Sequence, residues 1–320
     1  MRRLFGIAAW LVCTGALAQA FPVKPVRIVS GPGPDAAARM LAAALGTAWG
    51  QQVVTEVLPA ASGKLAAETV AKSNADGYTL LNATSSFQIA RALGVNSIDV
   101  ATDLVPVALT NVLPFLLVVP AVPVVNGDKG VQTVAELVAR ARAAPGKLNY
   151  ASGGNGTLPH LAAELFRRLT QADMVHVPYK GAEQAVLALM SGQVDMMFTS
   201  YPVVRGQVAA GKLRILATTA ARRAEALPEV PTLAEVGFSE YELVSWTGLF
   251  APAGTPPAVV AKLRADVAQA VRSDTLRQQY RALGFEMPPD ELSGERLAAF
   301  LRTDSVRWTR LVKESGARVD

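Results

Sequence analysis

Short β-rich apolar runs alternate with longer Ala/Leu-rich segments of helical periodicity from position 26 onward. This alternation is typical of parallel βαβ units in an α/β fold. In the first series we predict strands at 26–30, 53–57 and 79–82 and helices at 36–49, 65–72 and 86–93.

A second series of the same kind begins near position 133. Thr133 and Glu136 form a capping box, which predicts a helix to about position 143, where an Ala-Pro-Gly stop follows, and Thr232 with Glu235 repeats the pattern. We predict strands at 147–151, 174–177, 194–198 and 213–218, and an almost wholly helical tail at 256–320. Two β-rich stretches, 112–120 and 243–251, connect the two series.

Two connections between two βαβ series indicate two lobes with a hinge between them. The length left after the N-terminal segment, about 300 residues, exceeds what one core usually holds. Two independent domains in tandem are the alternative, but no Gly/Ser-rich linker separates the halves and the tail helices need a surface to pack on. We therefore predict a discontinuous first lobe, 21–120 with 246–320, and a second lobe, 121–245.

The N-terminus has the pattern of a cleavable secretory signal. Arg2 and Arg3 precede an apolar run at 4–18, and the small-residue triplet that ends at Ala20 follows it. We predict a signal peptide at 1–20, cleavage after Ala20 and a periplasmic location. Cys13 is the single cysteine and lies inside this segment, without the small-residue box of a lipoprotein before it.

Charge and residue types exclude several classes of function. Removal of Arg2 and Arg3 lowers the net charge from +5 to +3, and the remaining basic residues are dispersed, so we predict no nucleic-acid partner. The two histidines lie 16 positions apart and no cysteine remains, which argues against a metal site. Neither a phosphate loop nor a dinucleotide fingerprint is complete, so we predict no cofactor. We expect a monomer.

A serine hydrolase is the alternative enzymatic reading. Ser152 stands at a predicted strand-to-helix turn, but the flanking Tyr150 and Gly154 do not form a nucleophile elbow. His160 and His176 are the only candidate bases. A solute-sensing subunit of a signalling system would share the binding cleft and is a further alternative.

Loops at the carboxyl ends of the predicted strands are rich in Ser, Thr, Gly and Asn and nearly free of charge. Ligands of open parallel sheets bind at these ends. Backbone N–H groups, hydroxyls and helix dipoles there hold anions without an ion pair, which favours a carboxylate, although a neutral polar solute would use the same donors. The predicted ligand contacts are Ser30, Gly31, Pro32, Gly33, Thr84, Ser85, Ser86, Ser152, Gly153, Gly154, Asn155, Gly156, Thr157, His160, Lys180, Thr199 and Trp246.

Several of these residues also have a purely structural interpretation. The glycines of 152–157 allow close approach of a ligand, or serve a tight crossover that needs positive φ angles. His160 faces the cleft or lies on the surface, and Trp246 stacks on the solute or fills the core between the lobes. For His176, between two valines of a strand, a structural role is favoured.

The chain resembles the periplasmic solute receptors of tripartite tricarboxylate transporters, the Bug-type receptors, from about position 24 to its end. The motifs that carry the resemblance are KPVRIV at 24–29, DGYTLL at 76–81, PGKLNYAS at 145–152, GNG at 154–156, VHVPYKG at 175–181, GQVD at 192–195 and APAGTP at 251–256. Three loops depart from the family pattern. The first is about three residues shorter than is typical of the family, the second, at 59–63, is poorer in glycine, and Thr199-Ser200 replaces an Asp-Asn pair.

The resemblance implies a periplasmic-binding-protein type II-like Venus flytrap, with two α/β lobes joined by two crossover strands. It implies non-catalytic capture of a small carboxylate, amide or aromatic acid, with membrane permease subunits as partners. It also implies that backbone amides and hydroxyls of the first-strand loop and of the loops at 84–87 and 152–157 hold the solute.

Overall fold

The structure is a computed structural model that describes residues 21–31, 35–58, 63–121, 130–288 and 294–318. The predicted signal peptide lies outside these residues. None of the helices in the described ranges is long and apolar enough to span a bilayer.

The first series of elements forms a parallel sheet flanked by helices. Its elements are β1 (Val26–Ser30), α1 (Ala36–Trp49), β2 (Val53–Val57), α2 (Lys64–Ala71), β3 (Thr79–Thr84) and α3 (Ser85–Ala92). β1 lies between β2 and β3 and pairs in parallel with both. The predicted bounds of β1, β2 and α1 agree with the structure, whereas β3 extends two residues further and α2 and α3 begin one residue earlier.

The second series forms a similar layer. Its elements are α4 (Val134–Ala143), β5 (Leu148–Ser152), α5 (Leu158–Thr170), β6 (Met174–Pro178), α6 (Ala182–Met190), β7 (Met196–Ser200), α7 (Tyr201–Ala209) and β8 (Leu213–Thr218). β5 pairs in parallel with β6 and β7. The Thr133 hydroxyl caps α4 by accepting from the Glu136 N–H, as the capping box predicts. The equivalent hydrogen bonds also form between Thr232 and Glu235, but turns and not a helix follow there.

Two long antiparallel strands join the series: β4 (Leu104–Pro120) and β9 (Val244–Pro252). β4 pairs with β9 up to Pro114 and then with β7 and β8 from Phe115 onward. β9 pairs with β3 on its other side, so the strand order is β2-β1-β3-β9-β4-β7-β5-β6, with β8 also on β4. β4 begins well before the predicted connection at 112, because its first half completes the sheet of the first series.

Three C-terminal helices complete the fold: α8 (Pro257–Arg272), α9 (Asp274–Ala282) and α10 (Gly294–Ser315). α8 and α9 pack against α1 and β1 in one apolar cluster. We call β1–β3 with α1, α2, α8 and α9 the first lobe, and β5–β8 with α4–α7 the second lobe. α10 contacts both, since Leu297 and Leu301 pack in the first-lobe core and Trp308 and Leu311 pack in the second-lobe core. The residue bounds predicted for the lobes stay a prediction.

Candidate functional site

Polar loops follow the carboxyl ends of four parallel strands, two in each lobe. β1 ends at Ser30, β3 at Thr84, β5 at Ser152 and β7 at Ser200, and α1, α3, α5 and α7 begin within a few residues of these ends. In open α/β sheets such ends form the ligand crevice.

The first loop begins with a buried hydrogen-bond chain. The Ser30 hydroxyl donates to Asp35 Oδ1 over 2.8 Å and accepts from Asn82 Nδ2 over 3.2 Å. Asp35 is only 5% exposed, and its burial raises the pKa of its carboxyl, although the Ser30 hydrogen bond and Arg39 oppose the rise. Ser30 thus links β1, β3 and the start of α1.

Gly31 lies where a side chain has no space. A Cβ at this position would lie 2.9 Å from Gly63 Cα and 3.1 Å from the Phe87 ring. Close backbone packing is a reason for glycine at such positions. The predicted contacts Pro32 and Gly33 lie outside the described residues.

The second loop contains the start of α3. The Thr84 hydroxyl accepts from the Ser86 N–H and so caps the helix. Ser85 is buried, with its Oγ 3.1 Å from Ser245 Oγ on β9, whereas Ser86 is exposed. Of the three predicted contacts in this loop, Ser86 has the most accessible side chain.

The glycine loop, residues 152–157, is held together by its own hydrogen bonds. Ser152 is fully buried, and its Oγ donates to the Gly154 carbonyl or to His176 Nε2 while accepting from the Gly154 N–H. The Thr157 hydroxyl also donates to the Gly154 carbonyl, over 2.8 Å. Gly154 has φ 133° and Gly156 has φ 71°, values that favour glycine.

Three aromatic rings stack beside the glycine loop. The His176 ring on β6 lies 4.9 Å from the Tyr150 ring and 4.0 Å from the His160 ring on α5, nearly parallel to both. His160 Nδ1 accepts from the Gly156 N–H over 3.1 Å. The Tyr150 hydroxyl donates to Glu164, which also forms a salt bridge with Arg167. Burial lowers the pKa of both histidines.

Ser152 Oγ lies 2.7 Å from His176 Nε2, a separation typical of a nucleophile and its base. Burial, together with the neighbouring His160, lowers the pKa of His176 to about 4. A general base is most effective when its pKa lies near the operating pH. His176 is therefore a weak base and Ser152 is inaccessible, and these two properties argue against a hydrolase despite the short separation.

The remaining predicted contacts differ in their accessibility. Lys180 is exposed on the segment after β6. Thr199 is buried inside β7, opposite Leu116, because this strand begins two residues later than its sequence pattern predicts. Trp246 on β9 is 1% exposed, and its indole N–H donates to Asp304 over 2.6 Å. Contact of these side chains with a solute stays a prediction.

The glycine loop packs directly against α3 of the first series. A Cβ at Gly156 would lie 2.6 Å from Leu93 Cδ1, at the end of α3. Ile89 of α3 also belongs to the apolar core of the second lobe. The structure therefore brings the glycine loop next to α3, while Trp246 lies in the core of the first lobe.

Two surface cavities in the described part of the chain lie elsewhere, between α5 and α10. Their volumes are about 230 and 130 Å³, and both contact Leu165, Arg168 and Leu311. Their charged residues largely form ion pairs, such as Arg168 with Glu314. These cavities are separate from the loops at the strand ends.

The sequence pattern does not reveal that Asn82 and His176 contact the loops. His176, for which a structural role is predicted, contacts both Ser152 and His160. The register of β5 with β6, which pairs Tyr150 with His176, creates this contact. Alternation along β6 would indicate which residues share a face, but not which residues lie opposite.

Comparisons with known proteins find relatives that match almost the whole chain. The sequence model described as "Tripartite tricarboxylate transporter family receptor" matches residues 37–317. A protein from Pseudomonas sp. strain P51, "UPF0065 protein in tcbD-tcbE intergenic region", is 35% identical over 98% of this chain and 94% of its own length. BugT of Bordetella pertussis is 31% identical over 100% of this chain and 99% of its own length.

Solved structures share the fold over most of the chain. R. palustris Rpa4515 with adipate is 32% identical with a TM-score of 0.79, covering 93% of this chain and 99% of its own. MatC from Rhodopseudomonas palustris with bound malate is 31% identical with a TM-score of 0.73, covering 91% and 100%. The periplasmic binding protein BugD is 27% identical with a TM-score of 0.76, covering 93% and 99%. The predicted two-lobed fold class is confirmed.

Proposed function

The chain belongs to the tripartite tricarboxylate transporter receptor family, a family of periplasmic solute-binding receptors, and we propose that it captures a small carboxylate between its two lobes. The solute is bound without chemical change. Closure of the lobes over the solute follows if the solute contacts both lobes only in the closed state.

The observation that carries the proposal is the charge pattern of the helices that follow the strand ends. The first turns of α3, α5 and α7 contain no acidic residue, and neither do those of α1, α2 and α8. By contrast, the first turns of α4, α6, which follows β6, α9 and α10 contain Glu136, Glu183, Asp274 and Glu295. Acidic side chains normally stabilise a helix N-terminus. Their absence from α3, α5 and α7 leaves three positive helix ends for an anionic solute. α1 has Asp35 at its N-cap, with a raised carboxyl pKa.

The donor groups of the loops support the same class of solute. Ser86 at the start of α3 has an exposed hydroxyl, and Lys180 adds one positive charge beside the glycine loop, where the neighbouring Gly181 N–H donates to the Gly153 carbonyl. The similar proteins Rpa4515 and MatC hold adipate and malate in their structures. We therefore extend the proposal to aliphatic mono- and dicarboxylates.

Location and partners follow from the family and from the N-terminal pattern. We propose that the segment 1–20 directs export, with cleavage after Ala20, and that the receptor delivers its solute to membrane permease subunits. A pull-down from membranes with and without solute tests the second point. Capture of permease subunits supports transport, and capture of a membrane kinase instead supports solute sensing.

Binding is tested by thermal denaturation of the protein from residue 21 onward. The protein is first unfolded and refolded, because this step removes any co-purified solute. The panel contains succinate, malate, adipate, aliphatic monocarboxylates and the matching amides. A solute at 100 times its Kd raises the free energy of unfolding by about 2.7 kcal/mol. A flat response to every acid in the panel would contradict the proposal, and a response to the amides alone would exclude carboxylate recognition.

A pair of lysine variants tests the position of the site. Lys180 and Lys212 are both exposed, but they lie at opposite ends of the strands. Lys180 follows the carboxyl end of β6, whereas Lys212 precedes the amino end of β8, which runs in the same direction as β7. Lys180→Met and Lys212→Met change the net charge equally. We expect Lys180→Met to raise the Kd more than Lys212→Met does, and equal Kd values would exclude a contact between Lys180 and the solute.

A further inference from the structure

The two histidines of the chain hold the two ends of the glycine loop. At the start of the loop, Ser152 Oγ lies 2.7 Å from His176 Nε2. At its end, the Gly156 N–H donates to His160 Nδ1 over 3.1 Å. The first contact joins the loop to β6 and the second joins it to α5, so the conformation of the loop depends on the positions of both imidazole rings.

The rings act as one unit because they stack on each other. Their centroids are 4.0 Å apart and their planes differ by 6°, with the Tyr150 ring next in the column. The ionisable groups around them are Tyr150 on β5 and Glu164 with Arg167 on α5. The α3 residues that pack beside the loop are apolar, and Lys180 on the segment after β6 is exposed.

Hydrogen-bond chemistry requires His160 to be neutral. Nδ1 of His160 accepts from an amide N–H, so this nitrogen carries no proton. A proton there would place two donors face to face. A proton on His176 would put a positive charge in a half-buried position, and a second proton would put two like charges 4.0 Å apart.

We infer that the stacked pair His160–His176 is a pH-sensitive clamp that positions the glycine loop for solute and releases it when either imidazole is protonated. The inference rests on the proposed function, because it assumes that this loop binds the solute. Burial lowers the pKa of both histidines, that of His176 to about 4. An imidazole exposed by release of the loop has its ordinary pKa near 6.5, so acid favours the released loop.

Isosteric variants remove the titration and keep the hydrogen-bonding atoms. His160→Asn places an amide oxygen where Nδ1 accepts, and His176→Gln places an amide group where Nε2 meets Ser152. Because the chain has two histidines, the double variant has none. Any pH dependence that it retains comes from carboxyl groups of the protein or the solute.

The test measures Kd for malate and adipate by calorimetry from pH 7.5 to pH 4.5. We expect the Kd of the wild-type protein to rise by about threefold or more beyond the rise seen with the double variant. Parallel pH profiles of the two proteins would overturn the clamp. Titration of the solute itself affects both proteins equally and therefore cancels.

A second measurement does not depend on solute. In the NMR spectrum the two imidazoles give separate ring proton signals, and the clamp requires the pKa of both to lie below the ordinary imidazole value of about 6.5. Titration of either imidazole at the ordinary value overturns it. Failure of malate and adipate to bind at pH 7.5 contradicts the proposed function for these acids, and the imidazole titration then decides the clamp separately.

Discussion

Asp304 on α10 holds the C-terminal helix to β9, and its replacement by alanine is the most direct test of how the lobes are joined. Its carboxylate is 5% exposed, and Oδ2 accepts from Trp246 Nε1 over 2.6 Å and from Trp308 Nε1 over 2.7 Å. Trp246 lies in the core of the first lobe and Trp308 in that of the second. Asp304→Ala removes the acceptor that both indoles share.

The expected loss combines two opposing effects. Each buried donor left without an acceptor costs about 1–3 kcal/mol, so two indole N–H groups cost about 2–6 kcal/mol. Burial raises the pKa of Asp304, and the two tryptophans offset this only in part, so removal of the charge recovers some free energy. We expect Asp304→Ala to lower the free energy of unfolding by about 2–4 kcal/mol.

Urea denaturation at pH 7 measures this loss, with Asp304→Asn as the matched control. The amide keeps an acceptor oxygen without the buried charge, so we expect it to lie within about 1 kcal/mol of the wild type. An alanine variant as stable as the wild type, or an asparagine variant as unstable as the alanine variant, would refute the reasoning.

The pH dependence of the free energy of unfolding, compared between the wild type and Asp304→Asn, gives a second check. A raised carboxyl pKa means that the folded state binds more protons than the unfolded state above pH 3.8, so stability from this group decreases as pH rises through that range. Wild-type protein should therefore gain stability relative to Asp304→Asn as pH falls from 7 towards 4. A constant difference between the two proteins would contradict the raised pKa.

Three further outcomes are expected in urea denaturation. Thr133→Ala removes the cap that accepts from the Glu136 N–H over 3.1 Å and should cost about 1 kcal/mol; an unchanged midpoint would contradict the capping role. Gly284→Ala forces an alanine to φ 72° and places its Cβ 2.9 Å from Tyr201 Cβ, in a contact between the lobes. This substitution should lower the free energy of unfolding by at least about 1 kcal/mol. A variant as stable as the wild type would show that the chain accommodates the added methyl group without strain. Because the folded pKa of His176 is about 4 and the unfolded value 6.5, its contribution to stability is present above pH 6.5 and lost as pH falls towards 4. The loss is at most about 3 kcal/mol, and less after solvent screening. His176→Gln should not show it, and equal acid sensitivity would refute the assignment.

Local signals in the sequence predicted much of the first lobe. The bounds of β1, β2 and α1 agree because alternation and 3.6-residue periodicity depend on short-range geometry, and α1 buries Ala38, Leu41 and Leu45 on one face. The cap at Thr133 is local for the same reason. The Thr232 box shows the limit of such signals, since its hydrogen bonds form but turns follow.

Patterns along the chain already indicate the class of the protein: α/β units in two series, loops nearly free of charge and the motifs of one receptor family. Two sets of contacts arise only in the packed fold: His176 reaches Ser152 and stacks on His160, and Asp304 joins two tryptophans far apart in sequence. Register between strands and packing between helices set these contacts, and both depend on residues distant along the chain. Periodicity reports which face a residue occupies, whereas only the packed fold decides which residue lies opposite.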